Sequence, residues 1–133
     1  MRIGITAGTF DLLHTGHILM LKEAKEQCNY LICALHLDPS IERPEKNKPI
    51  QSLYERYTQL QAVKYVDEII PYETENELLT ILQSNEIYVR IIGEDYCDKS
   101  FTGRDIEEMK IYYNKRKHNY SSTELRNRIK NSK

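Results

Sequence analysis

Residues 3–17 read IGITAGTFDLLHTGH, an apolar run that leads straight into a turn carrying two histidines. Ile3–Ala7 has the composition of a buried strand, and the segment Gly8–His17 leads from it into a helix. His14 and His17 flank a glycine where that helix opens, so both imidazoles and several unpaired backbone N–H groups point to one place. The pattern therefore indicates an anionic ligand, and a triphosphate suits it best.

The composition is that of an ordinary soluble protein with a single core. The chain has 133 residues, 40% of them hydrophobic and 29% charged, and its net charge of −1 offers no field for nucleic acid or a membrane surface. No apolar run approaches the roughly 20 residues that cross a bilayer, and no signal-peptide pattern follows Met1. The three cysteines lack metal-binding or redox spacing, which predicts a reducing, cytoplasmic location.

Strand and helix patterns alternate along the chain. The predicted strands are Ile3–Ala7, Tyr30–Leu37, Val66–Pro71, Tyr88–Ile92 and Ile111–Asn114. The predicted helices are His17–Gln27, Leu53–Lys64 with Ser52 as N-cap, Glu75–Ser84 and Ser122–Lys130, with a short helical turn over Thr102–Met109. This alternation predicts a single α/β domain over residues 1–133, built on a Rossmann-like, doubly wound, five-stranded parallel sheet.

Ligands of such sheets bind at the carboxyl edge, where the strand order reverses. Four polar, charge-bearing loops are expected at that edge because each follows a predicted strand. They are Gly8–His17, Asp38–Ser52, Gly93–Asp98 and Lys115–Thr123. The functional residues are therefore sought in these loops.

Two of these loops carry motifs of a known family. Gly8–His17 (GTFDLLHTGH) resembles the first motif of the HxGH nucleotidyltransferase superfamily, in the form found in glycerol-3-phosphate cytidylyltransferases. Tyr120–Arg126 (YSSTELR) resembles the second superfamily motif, ISSTxxR. Between them, Tyr65–Glu68 resembles the family's YVDE segment and Gly93–Tyr96 its GDDW-like loop. The resemblance runs nearly the whole chain and implies the HUP-type nucleotidyltransferase fold.

The resemblance implies nucleotidyl transfer, in which a phosphate monoester attacks the α-phosphorus of a nucleoside triphosphate and releases pyrophosphate. A phosphate monoester has a second pKa near ~6, so it is already an anionic nucleophile, and positioning with charge stabilisation suffices. In this interpretation His14 and His17 donate hydrogen bonds to the α- and β-phosphates, and Gly16 lets the phosphate chain pass close to the backbone. The alternative is that His14 only caps the helix while His17 packs beneath it.

Further candidates lie in the same first motif. Gly8, Thr9 and Phe10 would line the nucleotide through backbone groups and the Thr9 hydroxyl, although Phe10 is equally readable as core packing. Asp11 is a candidate on the acceptor side, and its carboxylate suits bracing the turn better than holding a metal. No metal-ligating residue is predicted.

A basic-centred loop follows the second predicted strand. Lys46 and Lys48 share the Lys-x-Lys spacing of family members, whose lysines hold the triphosphate and the acceptor phosphate. The resemblance therefore implies a catalytic role for Lys46 and acceptor binding for both lysines, and the alternative is a solvated charged loop. Arg56 matches a family arginine that is either structural or faces a phosphate.

The second motif predicts a phosphate cradle at the start of the last helix. Ser122 and Thr123 offer hydroxyls beside unpaired N–H groups, and Arg126 lies one turn further on, within reach of the β- and γ-phosphates. The alternative is an ordinary serine N-cap with a surface arginine. By family position, the remaining nucleotide-binding candidates are Asp95, Arg116, Tyr120 and Ser121.

The choice of base rests on small differences. GTFDLLH and the short chain favour CTP, whereas Ser-Ser-Thr is also used by adenylyltransferases and Lys48-Pro49-Ile50 resembles heptose-phosphate adenylyltransferases. The first hypothesis is transfer of CMP to a small phosphomonoester such as glycerol 3-phosphate, and the second is ATP-dependent transfer to a sugar phosphate such as a heptose phosphate. A non-catalytic nucleotide-binding protein is a third, against which the intact histidines and cradle argue.

Cofactor and partners follow from the resemblance. It implies Mg²⁺ bound mainly through the nucleotide phosphates. It also implies a homodimer, and a product among the precursors of the cell envelope. No nucleic-acid or membrane partner is expected.

Overall fold

The structure, a computed structural model, describes residues 1–115 and 118–132. Its strands are β1 (Ile3–Gly8), β2 (Tyr30–His36), β3 (Glu68–Tyr72), β4 (Val89–Gly93) and β5 (Lys110–Asn114). Its helices are α1 (Thr15–Glu26), α2 (Leu53–Gln61), α3 (Glu75–Ser84) and α4 (Ser122–Lys130), with a 3₁₀ turn over Glu94–Tyr96.

The strands form one parallel sheet in the order β3-β2-β1-β4-β5. The central strand β1 pairs with β2 on one side, with Ile3 opposite Tyr30, and with β4 on the other, with Gly4 opposite Val89. The chain order therefore reverses between β1 and β4, which opens a crevice at the carboxyl ends of these two strands. The predicted doubly wound, five-stranded α/β sheet is confirmed.

The sheet is buried on both faces, which explains the nearly continuous apolar run of β2. Neighbouring residues of a strand point to opposite faces, so Ile32 and Cys33 enter different cores. Cys33 packs with Leu21 of α1 and Leu60 of α2, whereas Ile32 packs with Leu78 of α3. Helices α1 and α2 thus cover one face and α3 covers the other.

Most predicted elements appear with shifts of a few residues at their ends. The bounds of α3 agree with the prediction, and Ser52 caps α2 as expected, with its hydroxyl accepting from the Glu55 N–H. Helix α1 begins at Thr15, two residues before the predicted start, because His14 serves as its N-cap. The helical turn predicted over Thr102–Met109 is a series of hydrogen-bonded turns instead.

Helix α4 lies apart from the two cores. None of its residues is buried, and the side chain of Ile129 is 65% exposed. What ties α4 to the sheet is its N-terminal end, which meets α1 at the carboxyl edge. Within the described residues, no helix combines the length and the apolar character that spanning a membrane requires.

Candidate active site

The connection from β1 to α1 has an unusual backbone. Phe10 and Leu12 adopt φ angles of 49° and 51°, in the left-handed region that side chains other than glycine rarely occupy. Two contacts hold this conformation. The Phe10 ring is buried in the core, and the Leu12 N–H donates to Gln51 Oε1 at 2.7 Å. Packing and this bond offset a backbone strain of the order of 1–2 kcal/mol per residue.

His14 and His17 form a reciprocal cap at the start of α1. His14 Nδ1 accepts from the Gly16 N–H at 3.0 Å, and His17 Nδ1 accepts from the His14 N–H at 3.2 Å. A ring nitrogen that accepts a hydrogen bond carries no proton, so in the neutral rings Nε2 bears the hydrogen. The cap therefore fixes both imidazoles as Nε2 donors, and the ring centroids lie 4.0 Å apart.

His17 stays neutral at physiological pH. Burial, and to a smaller extent the neighbouring His14, lowers the pKa of His17 from its usual value of 6.5 to about 4. The Asp11 carboxylate opposes these two effects by a smaller amount. His17 can thus donate a hydrogen bond near pH 7 without acting as a cation.

The start of α4 meets this histidine pair. The Ser122 hydroxyl lies 3.2 Å from His14 Nε2, while the Ser121 hydroxyl caps α4 by accepting from the Glu124 N–H at 3.0 Å. The approach is close enough to require a glycine: a Cβ on Gly16 would lie 2.8 Å from the Tyr120 carbonyl oxygen. The N-termini of α1 and α4, both with a positive dipole end, therefore converge.

Asp11 joins three segments of the site. Its carboxylate accepts from the N–H groups of Ile50 (2.8 Å) and Gln51 (2.9 Å), just before α2. Its Oδ2 lies 4.0 Å from Arg126 Nη2 on α4. Arg126 Nε is buried and has no hydrogen-bond partner among the described residues. A buried guanidinium N–H without a partner is unusual in a folded protein.

Arg56 is structural. It is 3% exposed, and its guanidinium donates to four backbone carbonyls. The acceptors are Thr9 (3.1 Å), His36 (2.6 Å), Leu37 (2.8 Å) and Gln51 (3.2 Å). This arginine links the ends of β1 and β2 to the start of α2. The carbonyl oxygen of Thr9 is one of its acceptors and is therefore already hydrogen-bonded.

The predicted lysines lie in an exposed loop. Lys46 and Lys48 are both exposed, and the structure does not bring them to the histidines. The loop is anchored by Arg43, whose Nη2 lies 2.8 Å from Glu75 Oε1, and by Glu42, which accepts from the Glu75 N–H at 2.9 Å. Glu75 on α3 thus holds the first part of the loop that carries both lysines.

A cleft of about 960 Å³ opens at the switch point between β1 and β4. It runs between α1, the ends of β4 and β5, and residues 118–122. Seven predicted residues line it: His14, Gly16, His17, Asp95, Tyr120, Ser121 and Ser122. The other described candidates lie outside its lining, namely Gly8, Thr9, Phe10, Asp11, Lys46, Lys48, Thr123 and Arg126. Arg116 lies outside the described residues.

Sequence reasoning overlooked several polar groups of the cleft. The Glu23 carboxylate accepts from the Tyr112 hydroxyl at 2.9 Å and from the Lys115 N–H at 3.2 Å. Asn114, which is 7% exposed, lines the cleft and donates to the Met20 carbonyl at 3.3 Å. The signal for Asn114 was present, since it is a polar residue that ends an apolar strand at the carboxyl edge.

The cleft lacks a preformed protein metal centre. Across residues 1–115 and 118–132, no three His, Cys, Asp or Glu side chains come together in a way that could hold a metal ion. Asp11, the nearest carboxylate to the histidine pair in sequence, is occupied by backbone N–H groups.

Comparisons with known proteins agree with this geometry. The sequence model of the Cytidylyltransferase-like family matches residues 5–128. The chain is 32% identical over 129 residues to the glycerol-3-phosphate cytidylyltransferase of Bacillus subtilis, covering 97% of this chain and 98% of that protein. It is 36% identical over 109 residues to the bifunctional protein HldE of Hyphomonas neptunium, covering 81% of this chain but 22% of that protein.

The chain thus spans about a fifth of the length of the HldE proteins that it matches. Among solved structures, the lipopolysaccharide core biosynthesis protein of Thermoplasma volcanium matches with a TM-score of 0.73 and 23% identity, covering 89% of this chain and 99% of that one. This likeness confirms the fold. The match to the family model, over most of the chain, shows that the chain belongs to the Cytidylyltransferase-like family.

Proposed function

We propose that this nucleotidyltransferase transfers CMP from CTP to a small phosphomonoester, with glycerol 3-phosphate as the first acceptor to test. The products would be a CDP-alcohol and pyrophosphate. One relative that the chain covers almost end to end is a glycerol-3-phosphate cytidylyltransferase, and this supports both the base and the acceptor.

The observation that carries the proposal is the paired histidine cap. The capping bonds occupy Nδ1 of both rings, so Nε2–H would be the donor where charge builds on the α- and β-phosphates, with the nucleotide taking the place of the Ser122 hydroxyl at His14. A donor that is already oriented costs no reorganisation when the reaction occurs. Each such donor is worth roughly 10²–10³ in rate.

Arg126 and the start of α4 would hold the leaving pyrophosphate. The unpartnered Nε of Arg126 and the Ser122 hydroxyl supply donors on the α4 side, opposite the histidines on α1. Two helix N-termini add their dipoles to the same region. An anion is thus favoured there before substrate arrives.

The acceptor would need no general base. Its phosphate has a second pKa near ~6 and is an anionic nucleophile at neutral pH. In this proposal Lys46 and Lys48 draw the acceptor phosphate to the cleft and offset repulsion between two anions. In this proposal the exposed loop that carries both lysines closes toward the histidines when substrate binds.

We propose that Mg²⁺ enters the site on the nucleotide phosphates, because the described residues build no metal centre of their own. When bound, it would supply positive charge to the triphosphate. Removing divalent cations with EDTA is expected to abolish turnover, and excess Mg²⁺ is expected to restore it. Full activity in EDTA would contradict this part of the proposal.

A pyrophosphate-release screen tests the proposed reaction. The protein is incubated with Mg²⁺ and CTP, ATP, UTP or GTP, each against a panel of small phosphomonoesters that includes glycerol 3-phosphate and a heptose phosphate. The expected result is pyrophosphate release and a CDP-alcohol with CTP and glycerol 3-phosphate. No turnover with any pair would favour the third hypothesis, a non-catalytic nucleotide-binding protein.

The second candidate is ATP-dependent transfer to a sugar phosphate. The identity with HldE proteins over about four fifths of this chain favours it, as does the stretch Lys48-Pro49-Ile50. A preference for ATP with a heptose phosphate in the same screen would replace CTP with ATP and leave the transfer chemistry unchanged.

A homodimer in the cytoplasm is the assembly and location that we propose. Light scattering during size-exclusion chromatography should give a mass near twice the 15.7 kDa of the chain. The proposed product would feed reactions that build the cell envelope.

A further inference from the structure

Asn114 occupies an exceptional position in the cleft. The residue is 7% exposed, yet it lines the cleft wall at the end of β5. Asn114 Nδ2 donates to the Met20 carbonyl oxygen at 3.3 Å. A carbonyl oxygen only accepts hydrogen bonds, so this contact fixes which end of the amide carries the nitrogen.

The other end of the amide is an acceptor without a donor. Asn114 Oδ1 receives no hydrogen bond from any of the described residues. The oxygen is open to the cleft, so a ligand can reach it as water does. Since the residue faces the cleft, a ligand there is the natural source of the missing donor.

Asn114 lies beside the second turn of α1, beyond the histidine pair. Gly16, Met20 and Glu23 follow one another on a single face of α1, and all three line the cleft. Met20, which holds Asn114, is four residues beyond Gly16, or roughly 6 Å along the helix axis. A triphosphate at the histidine pair would therefore place its ribose between the phosphates and the Asn114 level.

A second acceptor lies beside Asn114. Gly93 is paired with Asn114 across β4 and β5, and a Cβ on Gly93 would lie 2.6 Å from Asp95 Oδ1. The Asp95 carboxylate thus rests against the backbone next to Asn114. Acceptors at the ends of two neighbouring strands suit a group with two N–H hydrogens.

We propose that Asn114 Oδ1, with Asp95 beside it, reads the exocyclic amino group of the base and so selects amino-bearing from keto-bearing nucleotides. This inference rests on the proposed function and deepens it. Cytosine N4 and adenine N6 are amino groups, whereas uracil and guanine place a carbonyl oxygen at the equivalent edge. A base carbonyl oxygen at this position would face Asn114 Oδ1. Since both oxygens only accept hydrogen bonds, both would stay unpaired.

Equilibrium binding without acceptor tests the inference separately from turnover. The dissociation constants of CTP, UTP, ATP and GTP are measured by calorimetry with Mg²⁺ for the wild-type protein and for Asn114→Leu. The wild type is expected to bind CTP roughly 10- to 100-fold more tightly than UTP. In Asn114→Leu this ratio should fall toward one.

Asn85→Leu is the matched control. Asn85 also donates from Nδ2 to a backbone carbonyl, that of Ile81 at 2.6 Å, but it caps the far end of α3 and lies outside the cleft lining. It should keep the wild-type CTP/UTP ratio. If Asn114→Leu fails to fold, Asn114→Ser replaces it, because a rotatable hydroxyl can accept from an amine or donate to a carbonyl and should also lose discrimination.

The outcomes separate this inference from the proposed function. A wild type that binds CTP and UTP equally, or an Asn114→Leu protein that still discriminates, overturns the inference even where transfer occurs. Discrimination that depends on Asn114 supports it even where no acceptor is turned over. A wild type that binds none of the four nucleotides overturns both proposals together.

Discussion

In both His14 and His17, the ring Nδ1 makes the capping bond to the backbone. The cap and the phosphate site, which the sequence presents as alternatives, are therefore compatible. Capping sets the tautomer, and the tautomer sets which nitrogen can donate to a ligand. Because capping and donation use different ring atoms, a substitution that keeps the cap but removes the donor separates the two functions.

The comparison of His14→Asn with His14→Ala makes that dissection. Asparagine is a strong N-cap residue but has no donor where Nε2–H stands, whereas alanine lacks both. Asn should retain thermal stability, and Ala should lose about 1 kcal/mol of unfolding free energy. Both should lose roughly 10²–10³ in kcat in the pyrophosphate-release assay. An active His14→Asn enzyme would show that the imidazole serves the helix only.

His17 predicts how stability changes with pH. Its pKa falls from 6.5 to about 4 on folding, chiefly through burial, so the unfolded state binds more protons between these values. The free energy of unfolding should be at its full value above pH 6.5 and decline as pH falls toward 4. The contribution of this one residue is up to about 3 kcal/mol.

The matched variant for this pH effect is His17→Gln. Glutamine at the third helical position can accept from the N-cap N–H as His17 does, but it has no titration in this range. Denaturant unfolding of both proteins from pH 7 to pH 4 should give a shallower decline for the variant. Parallel curves would mean that His17 titrates normally in the folded protein.

At the scale of elements, the sequence predicted those features of helices that depend on residues close together in the chain. The Ser52 cap and the bounds of α3 were predictable because a capping hydroxyl and an apolar helical stripe are both written within a few residues. The left-handed backbone at Phe10 and Leu12 was not, because neither residue is a glycine. The packing of the Phe10 ring in the core and the bond from the Leu12 N–H to Gln51 Oε1 impose this conformation. Neither contact can be recognised from the neighbouring sequence.

The junction of α1 and α4 depends on Gly16. A Cβ there would lie 2.8 Å from both His14 Cε1 and the Tyr120 carbonyl oxygen, and backbone yields little. Gly16→Ala should cost about 1–3 kcal/mol of unfolding free energy and displace Ser122 from His14. Thermal unfolding measures the first effect. Gly8→Ala is the control, since its Cβ would meet only the Phe10 ring at 3.5 Å and should leave the melting temperature nearly unchanged.

At the scale of the whole molecule, the parallel sheet brings to one edge loops that are far apart in sequence. The topology, and thus the convergence of the two motifs, followed from the alternation of strands and helices. The bonds between loops did not follow, because pairs such as Arg43–Glu75 and Asp11–Gln51 depend on how the segments pack. The predicted roles of the lysines remain predictions for the same reason.

Asp11 allows a test of the contacts between loops that are distant in the sequence. Its carboxylate is the acceptor for the Ile50 and Gln51 N–H groups and faces Arg126 at 4.0 Å, so it ties the histidine turn to the end of the lysine loop and to α4. Removing it should loosen these distant segments while leaving the sheet intact. A neighbouring carboxylate with only local bonds provides the contrast.

In Asp11→Ala, the amides of Ile50 and Gln51 lose their acceptor and should exchange with deuterium roughly 10-fold faster or more, because opening there no longer breaks a charge-assisted bond. The β2 amides should keep their wild-type protection. Asp38→Ala is the control, since the Asp38 carboxylate accepts from the Ser40 N–H and hydroxyl within its own loop, and its loss should leave the two amides protected. Unchanged exchange in Asp11→Ala would mean that the loop is held elsewhere, by Glu75 above all, and that the histidine turn and the lysine loop move independently.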